Sequence, residues 1–355
     1  MQNYRNFIAI VFIVVITSAI HSADTQTQNS VVLFPVPHEN LWGYINADGK
    51  IVIEPQFNMA FEFAEGVAQV MVKDRWGYID PSGKFVIQPK FARSDRFYEG
   101  FARVCIDPAI AEFAGYIDKT GTLVIPTEGA EYLGKFSEGL AAMKIKGKFG
   151  FIDRTGKFVI QPKYDVADIF TEGLARVAIK KGEKYLWGFI DKSGKERTSL
   201  QFEDACNFSE GLACVGVGNL FGFINTDGNF VINPKYDFTG DFQEGLAPVH
   251  NVKFGYIDRS GKMVIPEQFD IAHGFSEGMA AVAQDPGNGS PVWGFIDKEG
   301  NFVIEPQYDD VGAEFGSGSF QNGLVIVKVG KYSGYVSKTG KLVWQPCSSC
   351  NIPAN

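Results

Sequence analysis

Carboxylates stand at two fixed places along this chain, and paired carboxylates are the residues best suited to hydrolytic chemistry. Asp80, Asp118, Asp153, Asp191 and Asp258 recur once per unit of a repeating pattern. Glu65, Glu99, Glu138, Glu172, Glu210, Glu244 and Glu277 recur before a glycine. Glycoside cleavage needs two acids about 5–10 Å apart across one substrate, held in different environments. A residue type present in every unit is explained more economically as turn structure than as one active site. An enzyme would therefore have to use acids outside the repeat, such as Glu112, Glu183 or Glu314, with raised pKa values.

Other chemistries find less material. His38, His250 and His273 lie in three regions without ligand spacing, and the Asp-x-x-Gly segments lack the alternating oxygen ligands of a calcium loop. No serine sits in a nucleophile elbow and no glycine-rich loop has phosphate-binding spacing. Neither a metal nor a cofactor is expected. Cys347-Ser-Ser-Cys350 has C-x-x-C spacing but no βαβ context, so a local disulfide or two thiols is the reading there. Cys206 and Cys214 fall in one unit and could bridge a loop to a strand, which leaves Cys105 over. Across 355 residues, 33 basic side chains face 41 acidic ones, a net charge of −8 that argues against a nucleic-acid partner. Hydrophobic content of 45% is enough for a real core.

The elements that would position these groups come from one repeated pattern. An aromatic-Gly-aromatic-Ile-Asp run starts at Trp42-Gly43, Trp76-Gly77, Ala114-Gly115, Phe149-Gly150, Trp187-Gly188, Phe221-Gly222, Phe254-Gly255, Trp293-Gly294 and Ser333-Gly334. A turn follows each, as in Asp80-Pro-Ser-Gly83-Lys84, then an apolar run ending in Pro, as in Phe85-Val-Ile-Gln-Pro89. A second block reads Phe-x-Glu-Gly and then Leu-Ala-x-Val. The short β-branched and aromatic runs read as strands, and the Asp and Gly between them as a hairpin turn. The glycine after each aromatic, as at Gly43, Gly77, Gly188 and Gly294, implies a backbone or ring packed close over that strand. Proline should stop pairing after the second strand. One unit is thus a three-stranded antiparallel meander, and the chain an all-β array of about nine of them.

Units of this size cannot bury a hydrophobic face alone, so neighbours must stack through the recurring Trp and Phe side chains. An open, twisted array is expected over a closed propeller-like ring, because propeller blades usually have four strands and are longer. The units resemble the WG (KWG) repeats of many bacterial proteins through Trp-Gly-Tyr/Phe-Ile-Asp, Asp-x-x-Gly-Lys-Phe-Val-Ile-x-Pro and Phe-x-Glu-Gly-Leu-Ala. The resemblance covers residues 41–346 and implies a β-rich repeat scaffold, without catalytic residues to carry over. Ala114 and Ser333 depart from the aromatic position. Glu196-Arg-Thr-Ser-Leu200 departs where Phe-Val-Ile-x-Pro is expected, so the fifth unit should lack its second strand.

Residues 1–23 read as a secretory signal peptide, with an apolar run at Phe7–Ile20 and small residues after it; an uncleaved anchor is the alternative. Residues 24–40 read as a linker, 41–346 as the array and 347–355 as a tail. Three extra lengths, Asp107–Phe113, Lys180–Leu186 and Gln284–Val292, fall at one place in the unit and would share one edge. Lys180, Lys181, Lys184, Tyr185 and Trp187 form the candidate binding cluster there. The expected function is a non-enzymatic, exported scaffold binding a protein or glycan of the cell envelope. A carbohydrate-active enzyme is the alternative.

Overall fold

The structure is a computed structural model that describes residues 32–106, 113–287, 289–312 and 318–346. The N-terminal apolar run, Cys347, Cys350, Glu112 and Glu314 lie outside the described residues. Every regular element described is a β-strand, arranged as nine small antiparallel sheets in a nine-bladed β-propeller. The blades span residues 34–57, 59–91, 93–126, 132–164, 166–202, 204–236, 238–269, 271–308 and 310–344 and are numbered 1 to 9.

Blade 2 shows the pattern. Its strands are a (Met59–Ala64), b (Val67–Val72), c (Arg75–Ile79) and d (Phe85–Phe91), paired in that order. Seven of the nine sheets have four strands, where the sequence implied three. The added strand a is two residues long in most blades, as at Arg93–Ser94 and Tyr132–Leu133, too short to leave a period-2 signature. Strand d alternates between exposed and buried positions and forms one edge of the sheet, with strand a at the opposite edge.

Proline does not end strand d. In blade 2, Trp76 faces Phe91 and Tyr78 faces Ile87, so two residues of strand c oppose four of strand d across a bulge. The bulge carries Pro89 over Gly77, where an added Cβ would lie 2.6 Å from the Ile87 carbonyl oxygen and 2.7 Å from the Pro89 nitrogen. Close approach of backbone is therefore why glycine follows the aromatic residue. Blade 5 lacks a strand d, as Glu196–Leu200 suggested; isolated bridges at Ile190–Glu196 and Trp187–Phe202 hold that edge. Phe34–His38, in the stretch read as linker, is instead the first strand of blade 1. It pairs on one side only, and an edge strand tolerates Pro35 and Pro37.

The core lies between blades. Each of nine buried clusters joins one blade to the next, as where Tyr44, Ile53 and Phe57 of blade 1 pack on Ala68, Val70 and Ile79 of blade 2. An open row of nine blades has eight such interfaces, and the ninth closes the ring. It joins Phe34, Val36 and Ile45 of blade 1 to Leu324 and Tyr335 of blade 9. Two further contacts repeat across this junction. Tyr44, Tyr78, Tyr116 and Tyr256 each donate a hydroxyl hydrogen bond to a carbonyl of the following blade, and Tyr335 donates to Pro35 O at 3.1 Å. The c–d turn glycines Gly83, Gly121, Gly156, Gly194 and Gly261 each sit on an isoleucine of the preceding blade's strand d, and Gly49 sits on Val343. The expectation of an open array is thereby corrected. Closure covers the apolar faces that the first and last blades of an open row would leave exposed.

Candidate functional site

The recurring acids have structural work. Asp80 Oδ1 accepts from the N–H groups of Ser82 (2.8 Å) and Lys84 (3.1 Å) and from the Ser82 hydroxyl (2.6 Å), which closes the c–d turn. Asp118, Asp153, Asp191 and Asp258 repeat this bonding. The Ser or Thr hydroxyl two residues on, helped by the N–H groups, holds each of the five carboxyls below the ordinary aspartate range.

The turn glutamates act between blades. Glu65, Glu99, Glu138, Glu172, Glu210, Glu244 and Glu277 all have φ between 52° and 54°, with a positive-φ glycine after each. Two left-handed residues make the hairpin turn that usually prefers Asn-Gly. The glutamate side chain spans to the next blade and accepts from the N–H of the following Glu-Gly glycine. Gly100 donates to Glu65 at 3.0 Å, Gly139 to Glu99 at 2.8 Å, and the relay ends with Gly323 on Glu277 at 2.9 Å. Basic residues of the c–d turns back it: Arg154 on Glu99 at 2.9 Å, Lys192 on Glu138 at 2.9 Å, Lys298 on Glu244 at 3.1 Å. For Glu99, burial works against ionisation, but Arg154 and two backbone N–H groups outweigh it and lower the pKa.

Other polar residues gather between blades, and the pairing of an arginine on strand b with an aspartate at the third place from the start of strand a occurs twice, as Arg103–Asp95 and Arg176–Asp168. A cavity of about 360 Å³ between blades 2, 3 and 4 is lined by Arg93, Asp95, Arg96, Arg103 and Lys135, with Gln69 and Ser94, and by the rings of Phe61, Trp76, Tyr98 and Phe113. Arg103, on strand b of blade 3, is fixed by an ion pair to Asp95 and a hydrogen bond to Leu133 O, with its guanidinium 4.9 Å from the Phe113 ring centre. Arg96 pairs with Glu62 at 2.6 Å. Lys135 holds its ammonium 4.7 Å from the Tyr98 ring centre.

A second cluster spans blades 5 to 7. Arg176 binds Asp168 (2.8 and 3.0 Å) and Ala205 O, and Asn207 Nδ2 donates to Asp168 at 3.3 Å. Burial raises the carboxyl pKa of Asp168, but the Ile169 N–H, Arg176 and Asn207 together bring it below the usual value. Desolvation raises Asp241, with Arg176 pulling the other way. Arg176 thus bonds Asp168 and acts on Asp241 through its charge alone.

Comparison with known proteins places this architecture. The family described as WG containing repeat matches at residues 42–76, 76–107, 115–149, 149–185, 187–221, 221–250, 254–285 and 293–332. The chain belongs to the WG-repeat family. No curated protein matches it. Among solved structures it is similar to Hsv2 of K. marxianus, at 9% identity and a TM-score of 0.39 over 66% of this chain and 89% of that one. It is also similar to the tricorn protease, at 12% identity and a TM-score of 0.25 over 88% of this chain and 39% of that one. Scores this low support no inference of function.

In this WG propeller the connections alternate between two faces, with a–b and c–d turns on one and b–c and d–a connections on the other. All three extra lengths fall between the strand b and strand c of blade 2's pattern, where blade 2 has Lys73–Asp74. In blade 5 the addition lengthens strands b and c themselves around the two-residue turn Gly182–Glu183, and in blade 8 it follows strand b at Gln284. Residues 107–112 and 288 lie outside the described residues. Lys180, Lys181, Lys184 and Tyr185 come together on an exposed hairpin whose pairing runs to Lys181–Lys184; Lys184 bonds Glu203 at 3.0 Å. Trp187 is separated from them, half-buried 5.1 Å from the Arg176 guanidinium. Glu183 is exposed at the hairpin tip. Trp42, Trp76 and Trp293 line the inter-blade packing as repeat residues. Cys206, in the segment after Asp204–Ala205, and Cys214, on strand Leu212–Val217 of blade 6, form a disulfide with their Cα atoms 5.1 Å apart, and Cys105 is buried. His250 and His273 make tilted ring contacts with Phe254 and Trp293, each 4.8 Å between centres.

The cavity between blades 2, 3 and 4 escaped the sequence reading because its lining comes from three blades. A signal was present in the residue just before Phe-x-Glu-Gly: Arg96 and Lys135 stand where other blades carry Ile169, Asn207, Asp241 and Gly274.

Proposed function

We propose that the protein is an exported, non-enzymatic scaffold that presents the b–c face of its propeller to a protein or glycan partner in the cell envelope. The observation that carries this reading is that the recurring Asp and Glu carboxylates are bonded to turn and neighbouring-blade N–H groups, which leaves the long b–c connections as the chain's variable surface. Loops held on a rigid scaffold are where binding residues concentrate. Cross-linking capture from envelope extract tests it, with the chain from residue 24 as bait and a second bait in which the three extra lengths, the outer part of the Lys180–Leu186 hairpin included, are shortened to the length found in blade 2. One enriched partner, lost with the shortened bait, is the expected result; enrichment that ignores the shortening overturns the assigned face.

A second reading, carbohydrate cleavage, rests on the cluster around Arg176, which bonds Asp168 beside Asn207 while burial raises the carboxyl of Asp241. It predicts measurable turnover of a chromogenic glycoside that Asp241→Asn abolishes. Equal turnover by the variant contradicts it.

A further inference from the structure

We infer that residues 349–352 of the C-terminal segment take the strand-a place of blade 1, so that the first and last blades are joined by strand pairing as well as by packing. This goes beyond the scaffold reading and does not depend on it.

The place is open. Blade 1 has strands b (Phe34–His38), c (Leu41–Ile45) and d (Ile51–Phe57) and, among the described residues, no strand a. Elsewhere that strand works in a uniform way. In blade 3 the Ala92 N–H donates to Cys105 O at 2.8 Å and the Asp95 N–H to Arg103 O at 3.1 Å. Asp95 stands third from the start of strand a, and Gly134, Cys206, Gly240, His273 and Gly312 make the same bond from that place. The third residue also accepts, through its carbonyl, the tyrosine hydroxyl of the preceding blade, as Asp95 does from Tyr78 and His273 from Tyr256. On strand b of blade 1 the two accepting places fall on Pro35 and Pro37, which keep their carbonyls. Proline serves at the first of these in blade 7, where Gly240 donates to Pro248 O at 2.9 Å. At the junction Tyr335 donates to Pro35 O, on strand b, where its counterparts reach strand a. The buried cluster there contains no strand-a residue, whereas Ala60, Leu133, Ala205, Ala272 and Val311 belong to theirs.

Register assigns the occupant. In six blades the strand-d isoleucine facing the Tyr or Phe of strand c is followed six residues later by the start of the next strand a, as from Ile87 to Arg93 and from Ile265 to Ile271. Trp344 faces Tyr335 in blade 9, so the same count places Cys350 and Asn351 on strand a, with Ser349 and Ile352 at the donating places. Ile352 then supplies an N–H for Pro35 O and a carbonyl for Tyr335, the two roles of Asp95. The residues before Leu33 are the rival occupant. From that side strand a would need the Glu-Gly turn into strand b, as in Glu138-Gly139 before Leu140, and Val31-Val32 stands there instead. Two β-branched residues are poorly suited to the left-handed φ that both turn positions require. An open sheet edge is completed by adding a strand, whose main-chain bonds supply the affinity.

Cysteine trapping tests the assignment in the chain from residue 24 carrying Cys347→Ser and Cys350→Ser. In blade 6 Cys206 and Cys214 occupy the third place of strand a and its partner on strand b, and they form a disulfide. The same two places in blade 1 are Ile352 and Pro35. Pro35→Cys with Ile352→Cys should cross-link within one chain on air oxidation, in about tenfold higher yield than Asp48→Cys with Ile352→Cys. Asp48 is the control because the turn it shares with Gly49 lies against Val343 of blade 9, within reach of a loose segment. Ending the chain at Pro346 should lower the thermal midpoint by about 2–4 °C, and starting it at Val31 should leave the midpoint unchanged. Equal yields for the two cysteine pairs overturn the inference. A Pro35–Ile352 link between chains gives the place to a second copy instead. A midpoint lowered by removing residues 24–30 and not by removing 347–355 gives it to the N-terminal residues.

Discussion

Asp80 and its four counterparts show how a residue that looks chemical is explained by local bonding. Each stabilises a turn through its ionised carboxyl, so each is depressed below the ordinary value of 3.8. A carboxyl whose folded pKa is depressed contributes stability that is fully present above the unfolded value and is lost as pH falls through the folded one. The urea midpoint should therefore be flat from pH 7 to 5 and drop below about pH 4; a midpoint unchanged at pH 2 contradicts the assignment. Asn46 and Asn225 fill the same place in blades 1 and 6 with the same backbone hydrogen bonds. Asp153→Asn should thus fold with near-unchanged stability at neutral pH. Thr198 has no such substitute. It occupies the isoleucine position of blade 5, and its hydroxyl accepts from the Phe189 N–H at 3.0 Å, replacing an acceptor that strand d would supply. Thr198→Val should cost about 1–3 kcal/mol by leaving that buried N–H unpaired, measured by urea unfolding.

At the scale of elements, the hairpins and their turn chemistry were legible because period-2 runs, Asp-x-x-Gly and Glu-Gly act over a few residues. Strand a was not, since Arg93–Ser94 or Ile271–Ala272 takes its place by tertiary packing rather than by any local pattern. The Glu-Gly turns combine the two levels. Glutamate is a poor residue at positive φ, and its reach to the next blade's glycine N–H is what offsets that cost. Blade 9, whose following blade shows no such turn among the described residues, carries Asn322-Gly323, the pair the turn itself prefers. Glu138→Asn should then destabilise by about 1 kcal/mol despite easing the turn, because Asn is too short to reach Gly173. An Asn variant as stable as the parent in urea would remove the relay from the account.

For the whole molecule, the sequence supplied the number of units but not their closure. The contacts that decide closure, such as Tyr335 to Pro35, join residues 300 apart through side chains that elsewhere do the same task between sequence neighbours. The cavity was hidden for the same reason, its walls being single departures from the repeat brought together by three blades. Several blades carry Phe151, Phe189, Phe223 or Phe295 at the tyrosine position, so the hydroxyl can be removed without disturbing packing. In a closed ring Tyr335→Phe and Tyr256→Phe should each cost about 1 kcal/mol. A neutral Tyr335→Phe beside a destabilising Tyr256→Phe would indicate that blade 9 does not dock on blade 1. The most direct test is a pair of spin-label distances by double electron–electron resonance. Labels at Asp48 and Lys341 report on the junction of blades 9 and 1, and labels at Ser82 and Lys50 occupy the equivalent positions between blades 1 and 2. The closed nine-bladed ring predicts matching short, narrow distributions for the two pairs. A long or broad Asp48–Lys341 distribution beside a short Ser82–Lys50 one would contradict it.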